Sequence, residues 1–383
     1  MKSILFVNFE YPPVGAGAAT ATRHIAAAMA GRGVRSSVLT AAYRSCRGRS
    51  VEDGVTVYRI PALRRRAGSS SVFLMLVYLA SAILHLPYVM RRTRPDALVV
   101  FFGFPCGPVG LLARLLWKTP YALMLRGGDV PGFEPKVLLL HRLLTPLRRT
   151  VYRASAAIAA NSEGLRDLAV RADPGFPIRV IPNGVDSDFY RPSPLPKEAG
   201  AAFTFLFAGR FCDQKNIGRL LEAFAICRAK LPGARLTLVG EGSAARPLEA
   251  LARDLDIGGA LQWVAWSTKE DLLSRYRSSD CFVNPSKTEG MSNAVLEAMA
   301  CGLPVLCGDC MGNREVVMNG ENGFLFDPGD SGELARRMVA LGKNRQWSLT
   351  LGAAGRRLCC ERFSWARAAD AVAAMLTGGA AGK

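Results

Sequence analysis

The chain has 383 residues, half of them hydrophobic and 21% charged, with a formal net charge of +18. That length exceeds what one hydrophobic core normally serves, and the balance argues for two folded domains and against disorder. Ten scattered cysteines with a single CxxC (Cys307 and Cys310), and three histidines far apart, exclude a disulfide-stapled small domain and a His-rich metal centre.

Residues 1–8 carry one Lys and too short an apolar run for a secretory leader, and 4–7 read as a first strand. A loop over 10–17 holds Gly15 and Gly17, followed by a helix over 20–30 and a strand over 35–40. The order raises a dinucleotide fingerprint, but Thr20 stands where a third glycine would, and the second strand ends without an acid for a ribose. A tight turn needing small residues is the competing reading. Residues 55–60 alternate as a strand.

Segment 72–90 holds nineteen residues without Asp, Glu, Lys or Arg, near the length of a membrane span, flanked by Arg64-Arg65-Arg66 and Arg91-Arg92. Basic clusters at both ends, His85 and Pro87 argue against a simple span. An interfacial helix or a buried packing helix stays open beside it. Residues 1–185 carry 25 Lys and Arg against nine Asp and Glu, whereas 186–383 carry 24 against 22. Such a lopsided basic half points to a polyanionic partner. Aromatic-interleaved nucleic-acid motifs are absent, so an anionic membrane surface is favoured and no nucleic acid is expected.

Strand 97–101, helix 107–117 and strand 121–125 follow, the last ending in Arg126-Gly127-Gly128-Asp129. Two glycines there let backbone approach a ligand, and Asp129 could take a proton or hold a hydroxyl; an ordinary turn is the alternative. A basic helix over 136–153 with Arg142, Arg148, Arg149 and Arg153 leads to strand 157–160, a helix from 163 and strand 178–181. Pro182-Asn183-Gly184-Val185-Asp186 and the Pro-rich stretch 191–196 read as turn and linker.

The second half restarts the same grammar. Strand 203–208 gives way to a loop, Gly209 to Asn216, and to a helix with Ile217, Leu220, Leu221, Phe224 and Ala225 on one face. Arg210 and Lys215 thus lie between a strand end and a helix start, where two cations and helix N–H groups could neutralise a departing diphosphate. Solvated surface cations are the plainer reading. Strand 235–239 ends in Gly240-Glu241-Gly242, strand 261–265 and helix 269–277 follow, and residues 281–308 read CFVNPSKTEGMSNAVLEAMACGLPVLCG. A strand ending at Asn284-Pro285, a loop with Glu289, a helix from Asn293 holding Glu297 and a strand over 304–307 make a strand–loop–helix–strand unit. Beyond it, residues 311–315 are expected to start a helix and 322–326 a last strand, with helices to about 375 and a small-residue tail, 377–383, expected to be disordered. In such a sheet ligands sit at the carboxyl ends of strands. The carboxylates of Glu289 and Glu297, beside N–H groups of a helix start over 291–295, suit a ligand with hydroxyls at both ends and phosphates between.

This string closely resembles the glutamate-x(7)-glutamate signature of the retaining glycosyltransferases of family 4, members reading EGMSNxxLEAMACGLPV. The resemblance is strong over 203–327 and thinner over 1–186. It implies the GT-B fold, two doubly wound Rossmann-like α/β domains facing each other across a cleft. The acceptor domain would be 1–190, with a final helix, 363–378, that returns to it and could be anchored by Trp365; the donor domain would be 200–362. It implies retaining, metal-independent hexosyl transfer from a nucleotide sugar, with no cofactor. Gly15 and Gly17 fit the family's loop near donor phosphates and acceptor, Gly209, Arg210 and Lys215 its GR-x(4)-K diphosphate pattern, and Glu241 a position near the donor base. Glu289 with Gly290, Met291 and Ser292 would hold the sugar and Glu297 the ribose hydroxyls; Arg126 and Asp129 would meet the acceptor, although relatives place a His near this point. The expected acceptor is a lipid-linked or cell-envelope glycan, at the cytoplasmic face of the membrane. A nucleotide-sugar epimerase on the same fold, a non-catalytic sugar-nucleotide-binding membrane protein and a dinucleotide oxidoreductase are the alternatives.

Overall fold

The structure, a computed structural model, describes residues 1–64, 71–134, 137–194, 201–265 and 268–378. Arg65 and Arg66, Lys136, Leu195 and Pro196 of the expected linker, and residues 379–383 of the expected disordered tail lie outside the described residues. The chain divides into two units, Met1–Gly184 with Trp365–Lys383, and Val185–Ser364.

The first unit runs β1 (Ser3–Val7), α1 (Gly17–Ala30), β2 (Arg35–Ala41), β3 (Gly48–Glu52), β4 (Val55–Ile60), α2 (Val72–Thr93), β5 (Ala97–Phe101), α3 (Gly107–Trp117), β6 (Tyr121–Leu125), α4 (Leu138–Leu143), α5 (Thr145–Ala154), β7 (Ala157–Ala160), α6 (Glu163–Ala172) and β8 (Ile178–Val180). Its sheet has the order β3-β4-β2-β1-β5-β6-β7-β8 and is parallel except for β3 against β4. Strands β1, β5 and β6 are, apart from Ser3, apolar without alternation and buried at every residue, as strands covered on both faces must be.

Four local outcomes differ from the sequence reading. Strand β3, GRSVE, has too little apolar pattern to be singled out; the hairpin turn that makes it, Asp53 and Gly54 at φ 50° and 76°, was the available signal. Helix α1 starts at Gly17, so Gly17 is helical and Gly15, at φ 93°, stays in the loop. The single basic helix expected over 136–153 is instead α4 and α5, broken at Leu144. Pro146 has no N–H for the preceding turn, and its ring crowds that turn's carbonyl. Residues 311–315 form turns, not a helix, because the Asn313 side chain donates to Gly308 O (2.9 Å) and holds the chain against the preceding strand.

The second unit runs β9 (Thr204–Ala208), α7 (Ile217–Lys230), β10 (Arg235–Val239), α8 (Ala245–Asp254), β11 (Leu261–Val264), α9 (Lys269–Ser278), β12 (Cys281–Asn284), α10 (Asn293–Ala300), β13 (Val305–Gly308), β14 (Gly323–Phe326), α11 (Ser331–Lys343) and α12 (Arg345–Arg362). The sheet order is β11-β10-β9-β12-β13-β14, all parallel. Ile217, Leu220, Leu221 and Phe224 of α7 enter the core with Phe205, Phe207 and Met338. Strand order reverses between β9 and β12 here and between β1 and β5 in the first unit, and such reversals open a crevice at the strands' carboxyl ends. Helix α13 (Trp365–Gly378) rejoins the first unit against α1, where Trp365 stacks on His24 with 5.2 Å between ring centroids.

Among the described residues α2 is the one helix long and apolar enough to cross a membrane. Its inner face, including Tyr78, Ala82, Leu86 and Val89, is buried, and Tyr78 Oη donates to Leu39 O of β2 (3.2 Å). It is therefore a packing helix of the first unit on that side.

Candidate active site

In the second unit the loops after β9, β10 and β12 are bound to one another at the reversal of the sheet. Phe211 N donates to Glu241 O (2.9 Å), and Ala244 N to Phe211 O (3.0 Å). This approach requires glycine: a Cβ on Gly240, whose φ is 143°, would stand 1.9 Å from Gly209 O, and one on Gly242 2.1 Å from Phe211 O. Glu241 lies exposed between them. On the other side Gln214 Nε2 donates to Thr288 O (2.7 Å). Asn216 Nδ2 donates to Pro285 O (3.2 Å) and Pro328 O (2.8 Å). The spacing of Arg210 and Lys215 is thus set by a loop tied at both ends.

Lys215 Nζ lies 2.5 Å from Glu289 Oε1, with side chains 16% and 10% exposed. Asn284, the last residue of β12, donates to the same Oε1 at 3.4 Å, and Ser286 Oγ fixes Asn284 by donating to its Oδ1 (2.7 Å). Glu289 Oε2 has no hydrogen-bond partner among the described residues. Gly312 backs this loop: its N–H donates to Glu289 O (3.1 Å), and a Cβ there would stand 2.1 Å from Gly290 O. Met291 and Ser292 are buried and lead into α10, whose first N–H groups have no intrahelical acceptor. Arg210 is exposed beside this pair in sequence, on the same stapled loop.

Glu297 belongs to a different hydrogen-bond set. Its Oε2 accepts from Tyr276 Oη of α9 (3.0 Å), and Tyr276 packs edge-on against Tyr190 at 6.0 Å. Burial lifts the Glu297 carboxyl to about 7, opposed by the Tyr276 hydrogen bond, the positive charge of Lys269 and a hydrogen bond from Tyr190. Burial likewise pushes the Tyr276 phenol well above its ordinary range. Sequence reasoning missed both tyrosines: at the Leu272, Leu273, Tyr276 spacing a tyrosine reads as core, and Tyr190 sits in irregular chain.

In the first unit, Gly15 is forced by its φ and by Glu10, whose Oε2 would be 2.6 Å from a Cβ. Asp129 is buried. Its Oδ1 accepts from the N–H groups of Arg126 (2.9 Å) and Gly127 (3.1 Å), and its Oδ2 from that of Gly103 (2.8 Å). Burial raises its pKa while these backbone bonds oppose the rise. Both oxygens thus lock the loop after β5 to the loop after β6. Arg126 Nη1 donates to Asn183 Oδ1 (2.6 Å) and the guanidinium lies 4.7 Å over the Phe101 ring; its buried Nε has no partner among the described residues. Burial pulls the Arg126 pKa down to about 10.

Two family models match: one described as a glycosyl transferase 4-like domain over residues 16–184, the other as glycosyl transferases group 1 over residues 195–358. A D-inositol 3-phosphate glycosyltransferase of Geodermatophilus obscurus is 32% identical over 302 residues, 72% of this chain and 64% of that protein, so the chain spans less than two thirds of that relative's length. A GDP-mannose-dependent alpha-(1-6)-phosphatidylinositol monomannoside mannosyltransferase of Mycobacterium tuberculosis is 26% identical over 76% of this chain and 78% of that one. Among solved structures, Anabaena HepE in complex with UDP-glucose superposes with a TM-score of 0.80 at 21% identity, over 99% of this chain and 100% of that one. At that identity the likeness establishes the fold.

Proposed function

Because the chain belongs to the family 4-type glycosyltransferases with the GT-B fold, we propose that it moves a sugar, with retention of configuration and without a metal, from a nucleotide sugar to a lipid-linked or cell-envelope glycan. The observation that carries this reading is the Lys215–Glu289 pair at the sheet reversal, joined to the start of α10. With one ammonium hydrogen on Glu289, Lys215 keeps two for diphosphate oxygens. Arg210 on the same loop adds a second cation, and the N–H groups at the start of α10 add a dipole of the same sign. Glu289 Oε2 is left to accept a sugar hydroxyl, with Gly290, Met291 and Ser292 alongside; Glu297 takes the ribose hydroxyls; Glu241 lies toward the base. Gly209 lets the diphosphate approach the backbone.

As the glycosidic bond to the phosphate lengthens, charge grows on the leaving oxygen, which Arg210 and Lys215 are placed to stabilise. The acceptor hydroxyl attacks from the same face and passes its proton to that oxygen, so no protein base is required. Asp129 then has a positioning role: it holds the loops that carry Arg126, which with Gly15 and Gly17 meets the acceptor in the first unit. The phosphatidylinositol mannoside relative supports a lipid-borne acceptor.

The test is thermal stabilisation by UDP, GDP and ADP and their sugars, on wild type and Glu289→Ala. A ligand at about 100 times its Kd adds about 2.7 kcal/mol. One nucleotide class should stabilise the wild type, and Glu289→Ala should lose the sugar-dependent part alone. Stabilisation by none of them overturns the reading.

A further inference from the structure

Helix α2 is apolar on two sides. Opposite its buried face, Phe73, Leu76, Ala80, Ile83, Leu84 and Tyr88 recur at the helical period and are exposed, Phe73 by 65% and Leu84 by 78%. A helix facing water would carry charges there, and none stands between Ser71 and Met90. Helix α3 packs beside α2 and adds Leu115 and Leu116, 59% and 61% exposed.

The two helices lead into the neighbouring strands β5 and β6, so their carboxyl ends lie at one edge of the sheet. At that edge Arg91, Arg92, Arg94, Arg114 and Lys118 are all exposed, and Arg92 lies over the Tyr88 ring at 5.8 Å. Asp96 is the one acid between Asp53 and Asp129, and its Oδ2 accepts from the N–H groups of Lys2 and Ser3, at 2.5 and 3.0 Å.

We propose that this face is a docking surface for an anionic bilayer: α2 lies along the interface, Leu84, Leu115 and Leu116 reach the acyl chains, and the five cations meet the headgroup phosphates. Charge complementarity selects the occupant, since an apolar stripe bordered by five cations against the single carboxylate of Asp96 matches an anionic interface in both its layers. A span is ruled out by the other face of α2, which covers β1, β2 and β4. The inference deepens the lipid-linked acceptor reading and rests on it for its purpose, not for its chemistry.

Vesicle flotation of the full chain tests it, using phosphatidylcholine alone or with about a third phosphatidylglycerol. Wild type should float with the anionic vesicles at low salt and not with the neutral ones. Leu84→Glu/Leu115→Glu/Leu116→Glu should bind about tenfold or more weakly for each leucine withdrawn. Arg91→Gln/Arg92→Gln, which leaves the apolar stripe in place, should lose about fivefold per cation. Leu349→Glu, an exposed leucine of the second unit, should float as wild type. Wild type that does not float, variants that float as well as wild type, or a leucine variant that turns a dimer into a monomer in sedimentation while wild type ignores vesicles, each overturns the proposal. Nucleotide-dependent thermal stabilisation is read on the same samples. If it persists where flotation fails, only the docking face is lost; if it is absent while flotation holds, only the transferase reading is.

Discussion

Replacing Glu297 by Gln should remove a pH dependence that burial has built into the second unit. The carboxyl is lifted from its ordinary 4.5 to about 7, so between those pH values the folded protein holds a proton that the unfolded chain has released. Stability is then fully present below the unfolded value and falls as pH rises through the folded one, by about 1.4 kcal/mol per pH unit. Across the window the loss is about 3 kcal/mol. Urea unfolding of wild type and Glu297→Gln from pH 4 to 8 isolates it, because groups unaffected by the substitution cancel in the difference. The wild-type advantage should decline by that amount toward pH 8. Parallel profiles, within about 0.5 kcal/mol, would refute a buried carboxyl at Glu297, and a wild type that gains with pH would reverse the sign of the reasoning.

Three further outcomes follow from contacts already described. Lys215→Met leaves Glu289 a nearly buried charge without its cation and should cost about 3 kcal/mol. Lys215→Met/Glu289→Gln should recover most of that stability in a double-mutant cycle but none of the nucleotide-dependent stabilisation. Gly240→Ala forces a Cβ to within 1.9 Å of Gly209 O at a φ of 143° and should lower stability by about 3 kcal/mol or more. Gly233→Ala, which meets nothing within 4 Å, should stay within about 0.5 kcal/mol in the same melts. Asp173→Asn removes the partner of buried Arg148, 2.5 Å away, and of Arg149, and should cost about 3 to 5 kcal/mol by urea unfolding.

The alternation of strands and helices is legible because an unalternating run such as ALVVF or YALML, closed by Gly or Pro, has few other folded uses. What the pattern hides is anything decided by a partner distant in sequence. Arg148 reads as one more exposed charge on a basic helix, yet Asp173, 25 positions away, turns it inward. Asp129 reads as a candidate acid or acceptor ligand. The N–H of Gly103, 26 positions earlier, and those of Arg126 and Gly127 occupy its oxygens. The apolar run over 72–90 has the composition of a span, and only the sheet beneath it distinguishes the face that packs from the face that does not.

The two glutamates of the signature carry the same lesson into the site. They are one residue type eight positions apart, on a loop and on the helix that follows, and spacing gives them equivalent access to one crevice. Lys215, 74 positions before Glu289, places a cation on the first; Tyr276, 21 positions before Glu297, places a phenol on the second. The Tyr276 hydroxyl favours the charged form of Glu297 and so restrains the rise that burial imposes. Tyr276→Phe should therefore move the Glu297 transition to higher pH, extending the falling limb of the stability profile upward. The same urea series reads the shift. A transition that stays in place or moves down would mean that the phenol does not govern this carboxyl, and Lys269 and Tyr190 would then be the groups that oppose its burial.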